Sequence, residues 1–570
     1  MQSSLPSSFP LAEPALPDGP AVTPGAVALA AGAAAALLSA CGGGGGAGDT
    51  PGSAPTGVAP SPAPAPIPVT DAGAARFLAQ AGFGATSASI ADVKARGYAA
   101  WLDTQFSQGG SSSHYDWMLA KGDPTAILYN YGPVDASLWR KAFSSPDVLR
   151  QRVVLALSEI FVVSMNSLPV AWGNFAAAAY MDMLAARAFG SFRDLLEGVT
   201  LSCAMGVFLN MRGNRKEDSS GRTPDENFAR ECMQLFTIGL SQLDLDGTPV
   251  LDAAGKPRDS YTLADITELA RVFTGWDFDG QNSSDPSFMR KPMAHIASRF
   301  SSGAKKVLDV DIPASADGPT AMKIALDTLA GHPNVGPFIG RQLIQRLVCS
   351  SPSPAYVQRV ATVFNNNGSG QRGDMKAVLR AILLDDEAHS PAATPASGRL
   401  REPMLRFIQW GRTFGVTSPT DAWPIGDTSS AAQRLGQSPL RSPSVFNFFR
   451  PGYVPPNSEL GSQRITAPEF QLLNESSVAG YLNFMQSVLG SGIGEVKMAP
   501  TEELALAADA PALVDHLALR LAGDALAASS RSAIATAVAT IKADTDARKL
   551  NRVQAAILLV MACPEYLIQK

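Results

Sequence analysis

Cysteine and histidine are scarce in this chain, which has five of each among its 570 residues. The cysteines are Cys41, Cys203, Cys232, Cys349 and Cys563, and no two of them form a CxxC pair. Cysteine-based zinc sites need closely spaced ligands, so the sequence excludes a site of that kind. In an oxidising compartment the last four cysteines permit up to two disulfides in three pairings, whereas the apolar neighbours of Cys203 favour buried thiols.

Basic charge is not in excess either. The chain has 46 Lys and Arg against 51 Asp and Glu, a formal net charge of −5, and no cluster of basic residues interleaved with aromatic ones. Proteins that bind nucleic acid neutralise its phosphates with such clusters. We therefore expect no nucleic-acid partner.

Several familiar catalytic motifs are missing. The sequence has no nucleophile elbow, Walker A loop, His-Glu-x-x-His helix or Rossmann glycine pattern in a fitting context. Asp244, Asp246 and Asp252 have a spacing loosely like that of a calcium loop, but the terminal bidentate glutamate is absent. An Asp-Gly turn is the preferred interpretation of that segment.

The first 41 residues have the order of elements found in an export signal. Residues 25–40 are an apolar run too short to span a bilayer but of the length of a signal-peptide core. The run ends in Leu-Ser-Ala-Cys, which resembles the lipobox of bacterial lipoproteins, with Cys41 as the lipidated residue. No Lys or Arg precedes Arg76, which departs from the usual basic start of a signal. The alternative interpretation is a disordered Ala/Gly tail.

A tether and a folded body are predicted beyond that point. Residues 42–70 are rich in Gly and then in Pro, without any core-forming pattern. Residues 71–570 have long helical periodicities, with possible sub-domains near 71–310 and 319–570. After Pro319 the pattern predicts two helices around the turn Gly331-His332-Pro333. The fold class we predict is mainly α: a large multi-helix body with a few short strands or hairpins and long Pro-rich loops. With a lipid anchor, this body would be held at a membrane in the cell envelope, facing the periplasm or the surface.

Residues 223–276 hold an unusual density of polar residues on two predicted helices. The first is predicted to begin at Thr223, with Glu226 at the third helical position as a capping residue. Asn227 and Glu231 then follow one border of its apolar face, four residues apart. Helix capping explains Glu226 but leaves the other two without a structural reason.

The second helix repeats the capping device. Thr262 is its predicted N-cap, and Asp265, at the third helical position, projects onto the edge of the apolar face. Its carboxylate needs a partner, which is either the Thr262 backbone N–H or a cation or metal shared with the first helix. For the second possibility, Glu231, Asp265 and His295 are the candidate ligands of a divalent metal.

On these two helices the sequence resembles the large bacterial family called "domain of unknown function 1800". Members carry an Asn-Glu-Asn-Tyr-Ala-Arg-Glu-like helix and then a Tyr-Thr-x-x-Asp helix that ends in Thr-Gly-Trp; here these are residues 225–231 and 261–276. The similarity extends from about residue 74 to the C-terminus. Asp225 and Phe228 depart from the family's Asn and Tyr. The resemblance implies an exported bacterial protein of unassigned function, often encoded beside a second family that resembles sulfatases and phosphatases, which is an expected partner.

Residues 438–456 form a Pro-rich loop with a cluster of aromatic residues and an arginine. The cluster contains Phe446, Phe448, Phe449, Arg450 and Tyr453. Aromatic rings beside an arginine suit sugars and anions, so the loop is a candidate pocket wall. It can equally plug the helical core.

Two functions follow as hypotheses. The leading one is a non-catalytic envelope component that binds a partner protein or a glycan, because no standard catalytic constellation is present. Its candidate binding residues are Arg230, Arg271, Trp276, Phe446 and Arg450. The alternative is a metal-dependent hydrolase acting on an envelope or extracellular substrate. Its candidate catalytic groups and ligands are Asn227, Glu231, Asp265 and His295.

Overall fold

A computed structural model describes residues 69–389 and 396–570. The predicted signal segment, Cys41 and the predicted tether up to residue 68 lie outside the described residues. The described residues belong to one compact unit. Within its described part, 24 α-helices and three two-stranded sheets confirm the mainly α prediction.

The N-terminal half of the body contains eleven of the helices. The first nine are α1 Asp71–Ala81, α2 Ser87–Arg96, α3 Tyr98–Ser107, α4 His114–Leu119, α5 Gly132–Ser144, α6 Val148–Ile160, α7 Gly173–Arg187, α8 Phe192–Leu201 and α9 Cys203–Phe208. The two helices of the polar segment follow as α10 Asn227–Gln234 and α11 Leu263–Val272. Helix α7 is apolar nearly all round and is buried from Gly173 to Met181, so the core of this half is built around it.

The C-terminal half continues the helical pattern. Its helices are α12 Gly318–Gly331, α13 Val335–Leu347, α14 Pro354–Asn365, α15 Met375–Leu383, α16 Asp386–His389, α17 Pro403–Thr413, α18 Glu459–Ser462, α19 Glu475–Ser491, α20 Thr501–Leu506, α21 Ala510–Ala522, α22 Ala528–Ala539, α23 Asp546–Ala562 and α24 Pro564–Leu567. The predicted pair around the Gly-His-Pro turn is confirmed as α12 and α13. No helix in the described part of the chain is long and apolar enough to cross a bilayer.

The strands are short and antiparallel. β1 Trp276–Asp277 pairs with β2 Ala294–His295, β3 Lys305–Val307 with β4 Val310–Ile312, and β5 Arg399–Leu400 with β6 Ile568–Gln569. The segment between α10 and α11 is an extended ribbon with two tight turns, at residues 244–247 and 252–255. In these turns Asp246 and Asp252 accept hydrogen bonds from backbone N–H groups two residues ahead. The turn interpretation of this aspartate-rich segment is therefore confirmed.

The predicted start of α10 is wrong. The helix begins at Asn227 and not at Thr223, and its N-cap, Glu226, makes no side-chain capping bond. The backbone of Asp225 instead exchanges two hydrogen bonds with the amide of Asn214, at 2.9 and 3.1 Å. This pairing holds residues 223–226 outside the helix. Glu226 pairs with Arg230 and accepts a hydrogen bond from Thr267.

The cysteines of the described residues are Cys203, Cys232, Cys349 and Cys563, and all four are free thiols. The first three are buried, which confirms for them the expectation drawn from their apolar neighbours. Burial raises the pKa of each of these three thiols to about 12. They are therefore protonated, unreactive core side chains at neutral pH.

Candidate functional site

A cleft of about 750 Å³ lies where the end of α10, the face of α13 and the Pro-rich loop meet. It is bounded by residues from five stretches of the chain: residues 159–160, 234–249, 337–338, 341–346 and 445–454. The lining is mostly apolar, with a few amides and guanidiniums at its base. A cleft of this size with few convergent polar groups is typical of a ligand site.

The Pro-rich loop forms one wall and is held firmly in place. Arg441 forms an ion pair with buried Asp135 at 2.5 Å, and the carbonyl oxygen of Leu440 accepts a hydrogen bond from Met165 N–H at 2.8 Å. Phe449 is buried, whereas Phe446 and Tyr453 face the cleft half-exposed. The loop therefore serves both as a pocket wall and as a plug of the helical core. The Phe449 ring fills the interior, and the rings of Phe446 and Tyr453 line the cleft.

Aromatic rings stand on two sides of the cleft. Phe446 and Tyr453 belong to the loop, and Phe338 belongs to α13. The guanidinium of Arg450 lies 5.1 Å from the centre of the Phe446 ring, which is within cation–π range. Gly239, with φ of 71°, allows the chain to pass close to Phe338, since a Cβ there would meet the ring at 2.8 Å.

Several polar side chains of the cleft come from one face of α13. Phe338, Gln342 and Gln345 recur at i, i+4 and i+7, and Arg341 lies beside them. The Gln345 amide donates to the carbonyl oxygens of Ser350 and Pro451, at 2.9 and 3.1 Å, and so joins the helix to the loop wall. The Gln342 amide nitrogen is buried and has no hydrogen-bond partner in the described part of the chain.

Arg341 is the most unusual of these side chains. It is half-buried, and none of its guanidinium nitrogens makes a hydrogen bond or ion pair with a described residue. Burial lowers the pKa of this guanidinium, because a charge removed from water loses solvation. The cleft thus holds a cation that residues 69–389 and 396–570 leave unpaired.

A buried cluster of six charged side chains supports the base of the cleft. Its members are Arg152, Glu159, Arg346, Arg399, Glu402 and Glu469, none more than 5% exposed. Arg399 contacts Glu402 and lies 3.3 Å from Glu469, and Arg346 lies 3.7 Å from Glu159. Glu159 and Arg346 also line the cleft, so the cluster and the cleft are continuous.

Glu159 is the acid of this cluster whose pKa is shifted most strongly toward the protonated form. Burial, and then the neighbouring carboxylate of Glu402, hold the pKa of Glu159 well above its ordinary value of 4.5. Neither of its carboxyl oxygens accepts a hydrogen bond from a described residue. For Glu402 burial opposes ionisation, but Arg399 and the Gln437 amide, at 2.5 Å, outweigh it and lower the pKa. Within this pair, burial therefore favours the protonated form of Glu159, whereas Arg399 favours the ionised form of Glu402.

The structure gives Asp265 a complete set of structural partners. One carboxylate oxygen accepts hydrogen bonds from the backbone N–H and the hydroxyl of Thr262, at 2.8 and 2.7 Å. The other accepts a hydrogen bond from Leu308 N–H at 2.8 Å, which connects α11 to the β3–β4 turn. The predicted capping box is confirmed. Asp265 caps one helix and positions one turn.

Replacing Asp265 with alanine is expected to lower the free energy of unfolding by about 1–3 kcal/mol, since both the cap and the Leu308 bond are lost. Chemical denaturation measures the loss. Asp309→Ala, at an exposed position in the same turn, is the control and should change stability by less than about 0.5 kcal/mol. Equal stability of the two variants would contradict the structural role of Asp265.

His295 and Trp276 come together, although they were predicted separately. They are paired residues of β2 and β1, and their rings lie 5.0 Å apart. Phe300 packs on the other side of the imidazole at 5.3 Å. Burial lowers the pKa of His295, while Asp317 raises it by a smaller amount. His295 is thus a neutral imidazole among aromatic rings, and its Nε2 has no hydrogen-bond partner among residues 69–389 and 396–570.

The remaining predicted residues of α10 and α11 lie outside the cleft lining. Asn227 is half-buried at the start of α10, and Arg230 pairs with Glu226 at 3.2 Å. Glu231 is buried, which raises its pKa, although Arg230 opposes this shift. Arg271 pairs with Glu268 at 2.8 Å and donates to Ser301 at 3.0 Å.

Of the predicted site residues, only Phe446 and Arg450 line the cleft in the described part of the chain. The described residues also contain no group of three or more His, Cys, Asp or Glu side chains placed to hold a metal ion. The cleft residues that sequence reasoning missed are Glu159, Arg341 and Arg346. Glu159 did carry a signal, since it is a single acid within the apolar run of α6.

Comparison with known proteins agrees with the motif resemblance. A family model described as "Protein of unknown function (DUF1800)" matches residues 76–568, nearly the whole chain. No curated protein and no solved structure matches. The match confirms the resemblance that the two helices indicated, and its description assigns no activity.

Proposed function

Because the chain belongs to the family described as protein of unknown function (DUF1800), whose description assigns no activity, we propose a function from the cleft itself: the protein binds a glycan there without transforming it. The observation that carries this proposal is that aromatic rings from two elements, the Pro-rich loop and α13, share the cleft lining with amides and guanidiniums. Rings stack on the apolar faces of sugars, and planar polar groups bond to sugar hydroxyls. The combination suits a carbohydrate better than an apolar ligand.

The chemistry at the base of the cleft supports binding over catalysis. Both carboxyl oxygens of Glu159 are shielded from solvent, so this acid cannot reach a ligand in the cleft. A general acid or base has to lie within hydrogen-bonding distance of the group that it serves. Glu159 is therefore not placed to serve as a general acid or base for a ligand in the cleft.

The metal-dependent hydrolase remains the alternative hypothesis, with Asn227, Glu231, Asp265 and His295 as its candidate groups. The arrangement of the described residues lends it little support, since the hydrogen bonds of Asp265 are already used within the protein. Metal analysis of purified wild-type and Glu231→Ala protein tests it. Stoichiometric metal that disappears in the variant would favour the hydrolase.

For location we propose an exported protein anchored in the cell envelope through lipid on Cys41. The support is the order of apolar core, small residues and cysteine in residues 25–41. The second family, which resembles sulfatases and phosphatases, is the proposed protein partner. Cell fractionation tests the anchor, because a Cys41→Ser chain that stays in the membrane fraction would contradict it.

Replacing Phe446 with alanine is expected to weaken glycan binding about tenfold, because one stacking surface is lost. The affinity is measured by calorimetric titration of the full chain with a panel of bacterial and plant oligosaccharides. Tyr129→Ala removes an aromatic side chain that is 66% exposed and outside the cleft lining, so it should bind like the wild type.

Two results would contradict the glycan proposal. The first is binding that Phe446→Ala and Tyr129→Ala weaken equally, since the cleft would then not be the site. The second is a chain that binds no oligosaccharide of the panel but binds extended peptides, which would assign the cleft to a partner protein.

A further inference from the structure

The charges around the cleft are not balanced. Its lining contains three arginines, Arg341, Arg346 and Arg450, and within the described chain its single acidic member is Glu159. Arg346 belongs to the buried cluster, which has three guanidiniums and three acids, and burial raises the pKa of two of these acids, Glu159 and Glu469. Among the described side chains of the lining and the cluster, positive charge is therefore in excess.

Arg341 is the group of this set that is free to bind a ligand. Arg346 donates to the carbonyl oxygens of Glu159 and Gln342, at 3.1 and 3.3 Å, so its geometry is fixed by the protein. Arg450 lies over the Phe446 ring on the exposed rim. Arg341 has neither kind of partner among the described residues, and it lies half-buried on α13 in the lining of the cleft.

An unpaired guanidinium in a largely apolar cleft is unfavourable until an anion occupies it. Partial burial removes solvation from the charge, and an ion pair inside the cleft would restore that loss. The planar fork of arginine matches a carboxylate through two parallel hydrogen bonds. Since Arg346 and Arg450 are engaged with protein groups, the single charge of Arg341 is matched by the single charge of one carboxylate.

We propose that the glycan bound in the cleft is acidic, and that Arg341 binds a carboxylate on one of its sugar residues. This inference rests on the proposed function and names the ligand class: an oligosaccharide that contains a uronic acid or a similar carboxylated sugar. The aromatic rings hold the sugar faces, and Arg341 selects the charged residue.

The test compares a matched pair of ligands on the full chain. Oligogalacturonate and its methyl ester have the same sugar backbone and differ in the carboxylate charge. We expect the acid to bind wild-type protein about tenfold more tightly than the ester, and salt to weaken only the acid. A phosphorylated oligosaccharide is included to separate carboxylate from phosphate recognition, and we expect it to bind less tightly than the acid.

Variants of Arg341 test whether this side chain causes the preference for the acid over the ester. In Arg341→Gln the acid and the ester should bind equally, and Arg341→Lys should recover only part of the preference because lysine lacks the fork. Arg215→Gln, which removes an exposed arginine outside the cleft, should keep the wild-type ratio.

The possible failures are distinguishable. If ester and acid bind equally to wild-type protein, and Phe446→Ala weakens both, the acidic ligand is wrong and the glycan site stands. If Arg341→Gln keeps the wild-type preference, the assignment of Arg341 is overturned. If the phosphorylated oligosaccharide binds more tightly than the acid, the carboxylate is the wrong anion. If no oligosaccharide binds, both proposals fail.

Discussion

Replacing Arg399 with methionine is expected to lower the free energy of unfolding by about 3–5 kcal/mol. The Arg399 side chain is fully buried, contacts Glu402 and lies 3.3 Å from Glu469. It also donates to the carbonyl oxygen of Arg346, below the cleft. Methionine fills much of the same volume but leaves two carboxylates buried without their cation. An unpaired buried charge is among the largest destabilising effects that one substitution can cause.

The matched control is Arg548→Met on α23. Arg548 pairs with Asp544 at 2.8 Å, but both side chains are at least half exposed, so the pair is screened by water. Its loss is expected to change stability by less than about 1 kcal/mol. Chemical denaturation of both variants gives the comparison. A loss in Arg399→Met no larger than that in Arg548→Met would show that the buried cluster does not stabilise the base of the cleft.

Glu159→Gln is expected to change how stability depends on pH. The pKa of Glu159 lies well above 4.5 in the folded protein because of burial and of the Glu402 carboxylate. Folding therefore favours its protonated form, and the stability that this contributes is complete below the unfolded pKa of about 4.5. As pH rises from there through the folded pKa, the contribution is lost at a slope of up to about 1.4 kcal/mol per pH unit.

Glutamine has nearly the same shape as protonated glutamate and does not ionise. The stability of Glu159→Gln should therefore not show this loss as pH rises. The difference in unfolding free energy between variant and wild type is thus expected to grow in favour of the variant as pH rises above about 4.5. Denaturation at a series of pH values measures it. Glu475→Gln, at an exposed position at the start of α19, should follow the wild-type curve. A constant difference between Glu159→Gln and wild type across this range would mean that Glu159 is ionised in the folded protein.

Local rules predicted local features well. The capping box of Thr262 and Asp265, the turn between α12 and α13, and the Asp-Gly turns all depend on residues within a few positions of each other. The same rules failed where a residue farther away in the chain determines the backbone conformation. The start of α10 is displaced because Asn214, eleven residues upstream, takes the backbone bonds of Asp225.

Predicting the cleft from the sequence would have required knowledge of contacts between residues that lie even farther apart in the chain. Glu159 and Arg346 are 187 residues apart in the chain, and Arg399, Glu402 and Glu469 come from two further segments. No periodicity connects residues at such separations. The aromatic loop was identified from composition alone, since rings and an arginine in a Pro-rich segment suit a ligand wall. Arg341 is one arginine in an amphipathic helix, and only the structure shows that it lacks a partner.

Hydrogen exchange of the full chain, with and without an acidic oligosaccharide, tests the central claim most directly. If the cleft binds the glycan, backbone amides of residues 445–454 and of the ribbon near residues 239–249 will exchange more slowly in its presence. Amides at the start of α10 and in β2 should be unchanged. Protection confined to α10, α11 and His295, with none in the Pro-rich loop, would contradict the claim and direct attention to the metal-dependent hydrolase.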